Sequence, residues 1–348
     1  MLKVIVISIF LLSISCLGSP TEPPTKKDVE LSQLWNFEHG TVGAAPPIIY
    51  DDKVIMSGGL FVYALDEETG DEIWKQQFED DNILKGQVFL INGNQVVVAH
   101  IDKIRAWNVM TGNSEWEFDY DTNEVKPRLI GSHISFEDKY GFTSEQSKFF
   151  TLNKCGQLIS IKELDKKFDV QGLPLIKKTC PLSMLSSYNT EKGGFINVAP
   201  IVENGVVYAG TIGNSPTDIA VALNAETGEV IWENETDYFF TRSTNLGPKY
   251  FYVNTGGSLA ALNKENGKLE WRVEWMGTDF NKPVYLEGYV YHVRNSELVI
   301  VQDSTGKVVH REPVPDGTFF WHVAASSDKI FAQTSRQLIA YQPWHLRN

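Results

Sequence analysis

The side chains that most often carry out chemistry are few and widely separated in this sequence. Its histidines show no pair at the spacing of metal ligands and have no companion cysteines. The glycine pairs Gly58-Gly59, Gly193-Gly194 and Gly256-Gly257 lack the Lys and Ser or Thr of a phosphate-binding loop. We therefore expect no metal, no cofactor and no catalytic centre. The histidines are His39, His100, His133, His292, His310, His322 and His345.

The N-terminal segment indicates export. Lys3 is followed by an apolar run from Val4 to Leu12 and then by small residues that end at Cys16. A membrane helix needs about 20 apolar residues, so this run is too short to span a bilayer. Residues 1–16 are therefore predicted to be a signal segment. Cys16 is similar to the lipid-acceptor cysteine of bacterial lipoproteins, and cleavage as an ordinary signal peptide, giving a soluble secreted protein, is the alternative.

The remaining cysteines also fit an exported protein. Residues 17–31 are rich in Pro, Ser and Thr, which is typical of a flexible tether. Cys155 and Cys180 follow it, and an oxidising compartment favours a disulfide between them, with two free thiols as the alternative. Closing the loop between them would stabilise the fold by about 3 kcal/mol.

The charge of the chain excludes one class of partner. The formal net charge is −13, whereas 42% of the residues are hydrophobic, enough for a substantial core. A field of this sign repels phosphate backbones and anionic lipid headgroups. We expect no nucleic-acid partner, and we expect membrane attachment through a lipid anchor only.

A unit with one turn and one aromatic residue recurs along the chain. Ala64, Asp66, Gly70 and Trp74 form its clearest copy. Asp66 can accept hydrogen bonds that close the turn, Gly70 can take a positive φ, and Trp74 can fill the wedge between neighbouring units. Further copies contain Gly112 and Trp116, Gly156, Gly228 and Trp232, Gly267 and Trp271, and Gly306 with His310 in place of the tryptophan.

The spacing of these units predicts an all-β fold. Short apolar runs bounded by turn formers precede each copy, helical periodicity is nowhere sustained, and the repeat is about 40 residues long. Four strands in such a repeat indicate one blade of a β-propeller. We favour seven four-stranded antiparallel blades, with eight as the alternative. Residues 32–348 are then a single domain with an insertion near 162–194.

The two ends of the chain predict how the ring closes. Residues 337–341 supply the strand that precedes a turn, and the segment around Trp35 supplies a tryptophan strand with no blade before it. A propeller must join its first and last blades to protect their edges. We therefore expect the strand of Trp35 to be the outermost strand of the last blade.

The repeat resembles the pyrroloquinoline-quinone-like (PQQ-like) propeller repeat, Ala-x-Asp-x-x-x-Thr-Gly-x-x-x-Trp, over residues 32–344. With the exported N-terminus, the resemblance implies a non-catalytic scaffold of the cell envelope in outer-membrane β-barrel protein assembly. Its implied partners are envelope or outer-membrane assembly proteins, and its implied location is the periplasm, tethered to the outer membrane through a lipidated Cys16. A PQQ-dependent quinoprotein enzyme and a generic secreted interaction module are the alternatives.

Three aromatic residues form a candidate partner surface. Tyr238, Phe319 and Trp321 lie before strands of two blades, at loop-like positions. Aromatic side chains are enriched at protein interfaces. Packing in the core is the alternative for each of them.

Mass spectrometry without reduction should test the cysteine predictions together. We expect removal of the residues before Cys16, acyl chains on Cys16, and a peptide that links Cys155 to Cys180. Cys16→Ser is the control, which should lose the acyl mass and move the protein to the soluble fraction. An unmodified Cys16 within an intact N-terminus would contradict the lipoprotein prediction.

Overall fold

Antiparallel β-strands make up nearly all of the secondary structure in this computed structural model. It describes residues 30–40, 46–77, 88–99, 103–119, 133–136, 139–144, 148–163, 194–196, 200–213, 218–236, 243–255, 257–275, 281–294, 296–315 and 317–347. No helical segment in those ranges has the length and apolar character that crossing a membrane requires. Residues 1–29, with Cys16 and most of the predicted tether, lie outside the described ranges, as do residues 164–193.

The strands form seven sheets, which we number as blades 1 to 7. In chain order they are β1 (Gln33–Glu38), β2 (Ile48–Tyr50), β3 (Lys53–Gly58), β4 (Phe61–Asp66), β5 (Glu72–Gln77), β6 (Val88–Asn92), β7 (Gln95–Ala99), β8 (Lys103–Asn108), β9 (Ser114–Asp119), β10 (His133–Phe136), β11 (Lys139–Ser144), β12 (Lys148–Asn153), β13 (Leu158–Glu163), β14 (Gly194–Ile196), β15 (Ile201–Glu203), β16 (Val206–Gly213), β17 (Asp218–Asn224), β18 (Val230–Thr236), β19 (Ser243–Leu246), β20 (Tyr250–Asn254), β21 (Ser258–Asn263), β22 (Leu269–Glu274), β23 (Val284–Leu286), β24 (Tyr289–Arg294), β25 (Glu297–Gln302), β26 (Val308–Pro313), β27 (Phe320–Ala325), β28 (Ile330–Thr334) and β29 (Gln337–Tyr341), followed by the 3-10 helix Trp344–Leu346.

Blades 1 to 6 are each a run of consecutive strands. Blades 1, 2 and 3 contain β2 to β5, β6 to β9 and β10 to β13, and blades 5 and 6 contain β19 to β22 and β23 to β26. In blade 4, the two short strands β14 and β15 both pair with β16, which then pairs with β17 and β18 in order. The prediction of an all-β propeller is confirmed, and the blade count agrees with seven. The predicted insertion at 162–194 overlaps the end of β13 and the start of β14.

Blade 7 joins the two ends of the chain. Its strand order is β1-β29-β28-β27, and Trp35 in β1 pairs with Ala340 in β29. The backbone N–H of Leu31, just before β1, donates to the Glu312 carboxylate of blade 6 over 2.7 Å. The predicted closure is confirmed, since the N-terminal strand is the outermost strand of the last blade.

Strand direction divides the loops of the ring between two faces. Successive strands are antiparallel, so the links between blades and the hairpins between second and third strands share one face, which we call the connection face. The hairpins between first and second strands and those between third and fourth strands lie on the opposite side, the turn face. Gly317 belongs to the connection face, and the turn that contains Gly70 belongs to the turn face.

The hydrophobic core is divided into clusters that neighbouring blades share. Trp74 and Val62 of blade 1 pack with Val96 and Val98 of blade 2. Similar clusters join blades 2 and 3, 4 and 5, 5 and 6, 6 and 7, and 7 and 1. A single blade cannot exclude water from these faces, so each blade depends on its neighbours.

The turn between third and fourth strands places a glycine beneath the tryptophan of the preceding blade. In blade 1, the Asp66 carboxylate accepts the backbone N–H groups of Glu68 and Thr69, and Gly70 has a φ of +77°. A Cβ at Gly70 would lie 2.5 Å from the ring of Trp35. The same close approach joins Trp74 to Gly112, Trp116 to Gly156, Trp232 to Gly267 and Trp271 to Gly306.

A hydrogen bond accompanies most of these contacts. The indole N–H of Trp35 donates to the carbonyl of Glu67 over 3.0 Å, which satisfies a polar group that would otherwise be buried without a partner. Trp74 donates in the same way to Val109, Trp232 to Lys264 and Trp271 to Asp303. Among the described residues Trp116 has no such partner, and the carbonyl of Lys154 accepts a hydrogen bond from the Gln95 amide.

Two blades depart from the tryptophan pattern. Thr151 in blade 3 pairs with Ser160 where Ala64 in blade 1 pairs with Trp74, so Gly228 in blade 4 follows a blade without a docking tryptophan. In blade 6 the buried ring of His310 stacks on Trp344, with ring centroids 5.0 Å apart. Trp344 comes from the turn of blade 7. An aromatic contact therefore still joins blades 6 and 7, but the tryptophan belongs to the later blade and not to the earlier one.

Two glycines with the same backbone conformation provide a test of this packing. Gly70 and Gly205 both have a φ of +77°, but a Cβ at Gly205 would meet nothing within 4 Å. Gly205→Ala should lower the free energy of unfolding by about 1–2 kcal/mol through backbone strain alone. Gly70→Ala should lower it by about 1–3 kcal/mol more, since its methyl group collides with Trp35. Denaturant titration measures both losses, and equal losses would contradict the packing role of Gly70.

Candidate interaction surface and inter-blade cavity

Two of the three predicted surface aromatics are exposed on the connection face. Phe319 is 54% exposed and Trp321 is 41% exposed, whereas Phe320 between them is buried. Phe320 pairs with Thr334 and His322 pairs with Gln333, so Trp321 is the extra residue of a β-bulge. A bulge re-aims a side chain that regular alternation would place elsewhere. The indole of Trp321 is open to solvent at this bulge, and Phe319, just before the strand, is exposed beside it in the sequence.

The strand beneath this aromatic pair is held firmly. Phe320 and Val323 pack in the core that blades 6 and 7 share. The amide of the buried Gln333 donates to the carbonyl of Ser57 in blade 1 over 2.7 Å. The exposed pair therefore stands on a rigid support at the junction of three blades.

A second aromatic group on the connection face has no counterpart in the sequence prediction. Trp275 follows β22, and its ring stacks on His292 with centroids 5.1 Å apart. The Arg294 guanidinium lies 4.8 Å from the centre of the Trp275 ring, within cation–π range. Trp275 comes four residues after the docking Trp271, at a position where the other repeats have no tryptophan. This extra tryptophan is the only sign in the sequence of the second aromatic group.

The other predicted site residues are spread over the molecule. Cys155 is an exposed turn residue of blade 3, and it has no cysteine to pair with in the described part of the chain. Cys180, Cys16 and Tyr238 lie outside the described residues, so the disulfide, the lipid attachment and the third surface aromatic stay predictions. The docking tryptophans 35, 74, 116, 232 and 271 are all buried between blades.

A cavity of about 590 Å³ opens on the turn face between blades 4 and 5. Its walls combine apolar and charged side chains from the hairpins of both blades. The Lys264 ammonium pairs with the Glu203 carboxylate and also donates to the carbonyl of Gly247 over 3.0 Å. The remaining wall contains Asn204, Val206, Tyr208, Ile231, Pro248, Lys249, Tyr250, Asn263 and Glu265.

The next inter-blade space, between blades 5 and 6, is filled by a tyrosine–aspartate pair. The hydroxyl of Tyr252 donates to the Asp303 carboxylate over 2.7 Å, and both residues are buried. Burial raises the pKa of Asp303, opposed by the hydrogen bond from Tyr252 and by the charge of Lys249. Burial, together with the bond to Asp303, raises the pKa of Tyr252, so its hydroxyl stays protonated and remains a donor.

The potential metal ligands of the described part of the chain do not cluster. No three His, Cys, Asp or Glu side chains come together there in a way that could hold a metal ion. The buried pair of His310 and Glu312, 2.7 Å apart, is used in closure, because Glu312 also accepts the N–H of Leu31.

The closed ring, the docking tryptophans and their turns define a β-propeller of PQQ-like repeats. A family model described as outer membrane protein assembly factor BamB matches residues 31–179 and 156–337. The chain belongs to this family, which confirms the resemblance that the repeat indicated.

Two solved structures share the fold. The crystal structure of BamB from Moraxella catarrhalis is 14% identical, with a TM-score of 0.50, over 90% of this chain and 87% of that one. The computationally designed Ika8 protein is 9% identical, with a TM-score of 0.68, over 90% of this chain and 100% of the designed one. No curated protein sequence matches the chain.

Asp303→Asn should reveal the cost of the buried carboxylate. An acid whose pKa is higher in the folded than in the unfolded state weakens the fold once the pH rises through the folded value. The amide of this variant keeps an acceptor for Tyr252 without the charge, so the variant should be more stable than the native chain at pH 7. The difference should vanish as the pH falls below the ordinary pKa of aspartate.

Unfolding titrations at pH 7 and pH 3.5 measure this difference. Asp66→Asn is the matched control, since Asp66 lies in an exposed turn where Asn108 and Asn224 stand in other blades. A native chain more stable than Asp303→Asn at pH 7 would show that the hydrogen bond to the charged carboxylate outweighs its desolvation.

Proposed function

We propose that the protein is a non-catalytic scaffold of the cell envelope that acts in outer-membrane β-barrel protein assembly. The observation that carries this proposal is the family match across residues 31–337. The fold supports it, because blades that share their hydrophobic core with their neighbours present a broad, well-supported surface to a partner.

The connection face is the proposed partner surface. Phe319 and Trp321 expose large aromatic area there, and such residues dominate binding energy when a partner removes them from water. The bulge at Trp321 supports this role, because a stability role alone would bury the indole. Tyr238 is proposed to belong to the same surface. The proposed partners are outer-membrane assembly proteins or other envelope proteins.

We propose that the chain is exported and tethered to the outer membrane through a lipidated Cys16. Residues 17–31 are the proposed tether, and the chain enters the ring at Leu31, beside the first residues of β1. The first end of β1 lies on the turn face. A tether that enters there leaves Phe319 and Trp321 on the opposite face, which supports their proposed role in partner contact.

Photo-crosslinking in the native envelope tests this proposal. A photoreactive residue at position 321 should capture barrel-assembly proteins, identified by mass spectrometry. The double variant Phe319→Ala/Trp321→Ala should lower their co-purification at least about tenfold, because it removes two aromatic anchors. Equal recovery from the native chain and the double variant would contradict the assignment of the surface.

The matched control alters two exposed side chains elsewhere. Leu34→Ala/Ile73→Ala changes aliphatic residues on the outermost strands β1 and β5 and should leave partner recovery unchanged. Recovery without any assembly protein would contradict the proposed function itself. Dye reduction by the purified protein with added PQQ and Ca²⁺ would contradict its non-catalytic character.

A further inference from the structure

One repeat position beside the cavity between blades 4 and 5 differs from its counterpart one blade later. Tyr208 pairs with Ala222 in blade 4 as Tyr252 pairs with Ala261 in blade 5, so the two tyrosines are equivalent. The hydroxyl of Tyr252 donates to Asp303 of the next blade. For Tyr208, the equivalent residue of the next blade is Lys264. The ammonium of Lys264 pairs with Glu203, so Lys264 does not act as an acceptor for the Tyr208 hydroxyl.

Tyr208 is therefore buried without a hydrogen-bond partner for its hydroxyl among the described residues. Its side chain is only 4% exposed, and it forms part of the cavity wall. Tyr291, the equivalent residue in blade 6, accepts the backbone N–H of Trp344 over 2.7 Å. The Tyr208 hydroxyl lies at the cavity wall with no acceptor from the described chain, so it is available to donate to an occupant of the cavity.

Burial and the charge of Glu203 raise the pKa of Tyr208, so its hydroxyl stays a donor, and one basic side chain of the wall can face an anionic group. Lys264 neutralises Glu203 on one wall, whereas the ammonium of Lys249 forms no ion pair with any described residue. Glu265 at the edge is the remaining acidic residue of the wall. In the adjacent inter-blade space, the equivalent hydroxyl donates to a carboxylate. The same chemistry from outside the chain would satisfy Tyr208 and Lys249 together.

The shape of the site favours a peptide over a small free anion. The cavity volume of about 590 Å³ is within the range of sites that hold a ligand of several residues or a cofactor. Ile231 lines it and is 47% exposed, and Val202 beside Glu203 is similarly open to solvent. These side chains can pack against apolar neighbours of the bound group.

We propose that this cavity binds the carboxylate of an extended peptide segment, with apolar residues beside the carboxylate. The carboxylate accepts a hydrogen bond from the Tyr208 hydroxyl and pairs with Lys249, while the neighbouring apolar side chains pack on Ile231 and Val206. The site lies on the turn face, so it is separate from the surface of Phe319 and Trp321, and it stands whether or not that surface binds assembly proteins.

Fluorescence anisotropy with the full chain tests the proposal. The probe is a fluorescein-labelled peptide Gly-Gly-Leu-Asp-Leu-amide, and its analogue with Asn in place of Asp lacks the charge. The acidic peptide should bind at least about tenfold more tightly than the Asn analogue, since hydrogen bonds to charged groups are the stronger kind. Tyr208→Phe and Lys249→Gln should each weaken the acidic peptide about tenfold.

Two control variants repeat these changes outside the cavity. Tyr291→Phe removes a hydroxyl that is already partnered, and Lys268→Gln removes an exposed charge of the same blade as Lys249. Both should bind the acidic peptide as the native chain does. Equal affinity for the two peptides, unchanged affinity in Tyr208→Phe, or no binding at millimolar peptide would overturn the proposal. If acetate displaced the peptide at equal concentration, the proposal that the ligand is a peptide would be overturned.

A stability measurement separates the missing hydroxyl partner from general damage. Tyr208→Phe should leave the free energy of unfolding unchanged, because its hydroxyl bonds nothing in the described chain. Tyr252→Phe should lower it, because the buried Asp303 carboxylate loses its donor. A loss in Tyr208→Phe as large as that in Tyr252→Phe would show that the hydroxyl already has an internal partner.

Discussion

The ring depends on one contact, a tryptophan of an outermost strand lying on a glycine of the next blade. The glycine serves twice, because its positive φ forms the turn and its missing side chain admits the indole. The indole N–H then ties the two blades through a backbone carbonyl. Trp35 on Gly70 makes this contact across the junction where the chain ends meet, so closure uses the same interaction as four other junctions of the ring.

Because this contact holds the blades together, neighbouring turn positions can vary without opening the ring. The residue after the first turn residue is Asp303 in blade 6, where it follows Gln302, and Lys264 in blade 5, where it follows Asn263. Its carbonyl accepts from a tryptophan in both blades. The backbone carbonyl accepts the indole N–H in both blades, whereas the side chain is acidic in blade 6 and basic in blade 5. One inter-blade space is consequently closed by a buried tyrosine–aspartate pair, and the other is a cavity beside an equivalent tyrosine.

The strands, the turns and the closure could be predicted because the sequence repeats them with regular spacing. The place of Trp344 could not be predicted, since Trp344 lies at no tryptophan position of the repeat. His310 stands at such a position, but its identity alone does not show which residue it stacks on. The exposure of Trp321 depends on a bulge, which is a property of pairing register. The cavity beside Tyr208 depends on the direction that Lys264 takes, and both residues look ordinary within their own repeats.

The position of β1 has a mechanical consequence. Leu31 and β1 lie at the start of the ring, and β1 runs antiparallel to β29 along its whole length. A force applied to the chain before Leu31 along the axis of β1 loads this ladder in shear, so its hydrogen bonds share the strain. The bond from Leu31 to Glu312 and the buried Trp35 resist the same displacement. Opening the ring by such a force would therefore require the whole β1–β29 ladder and both of these contacts to give way together.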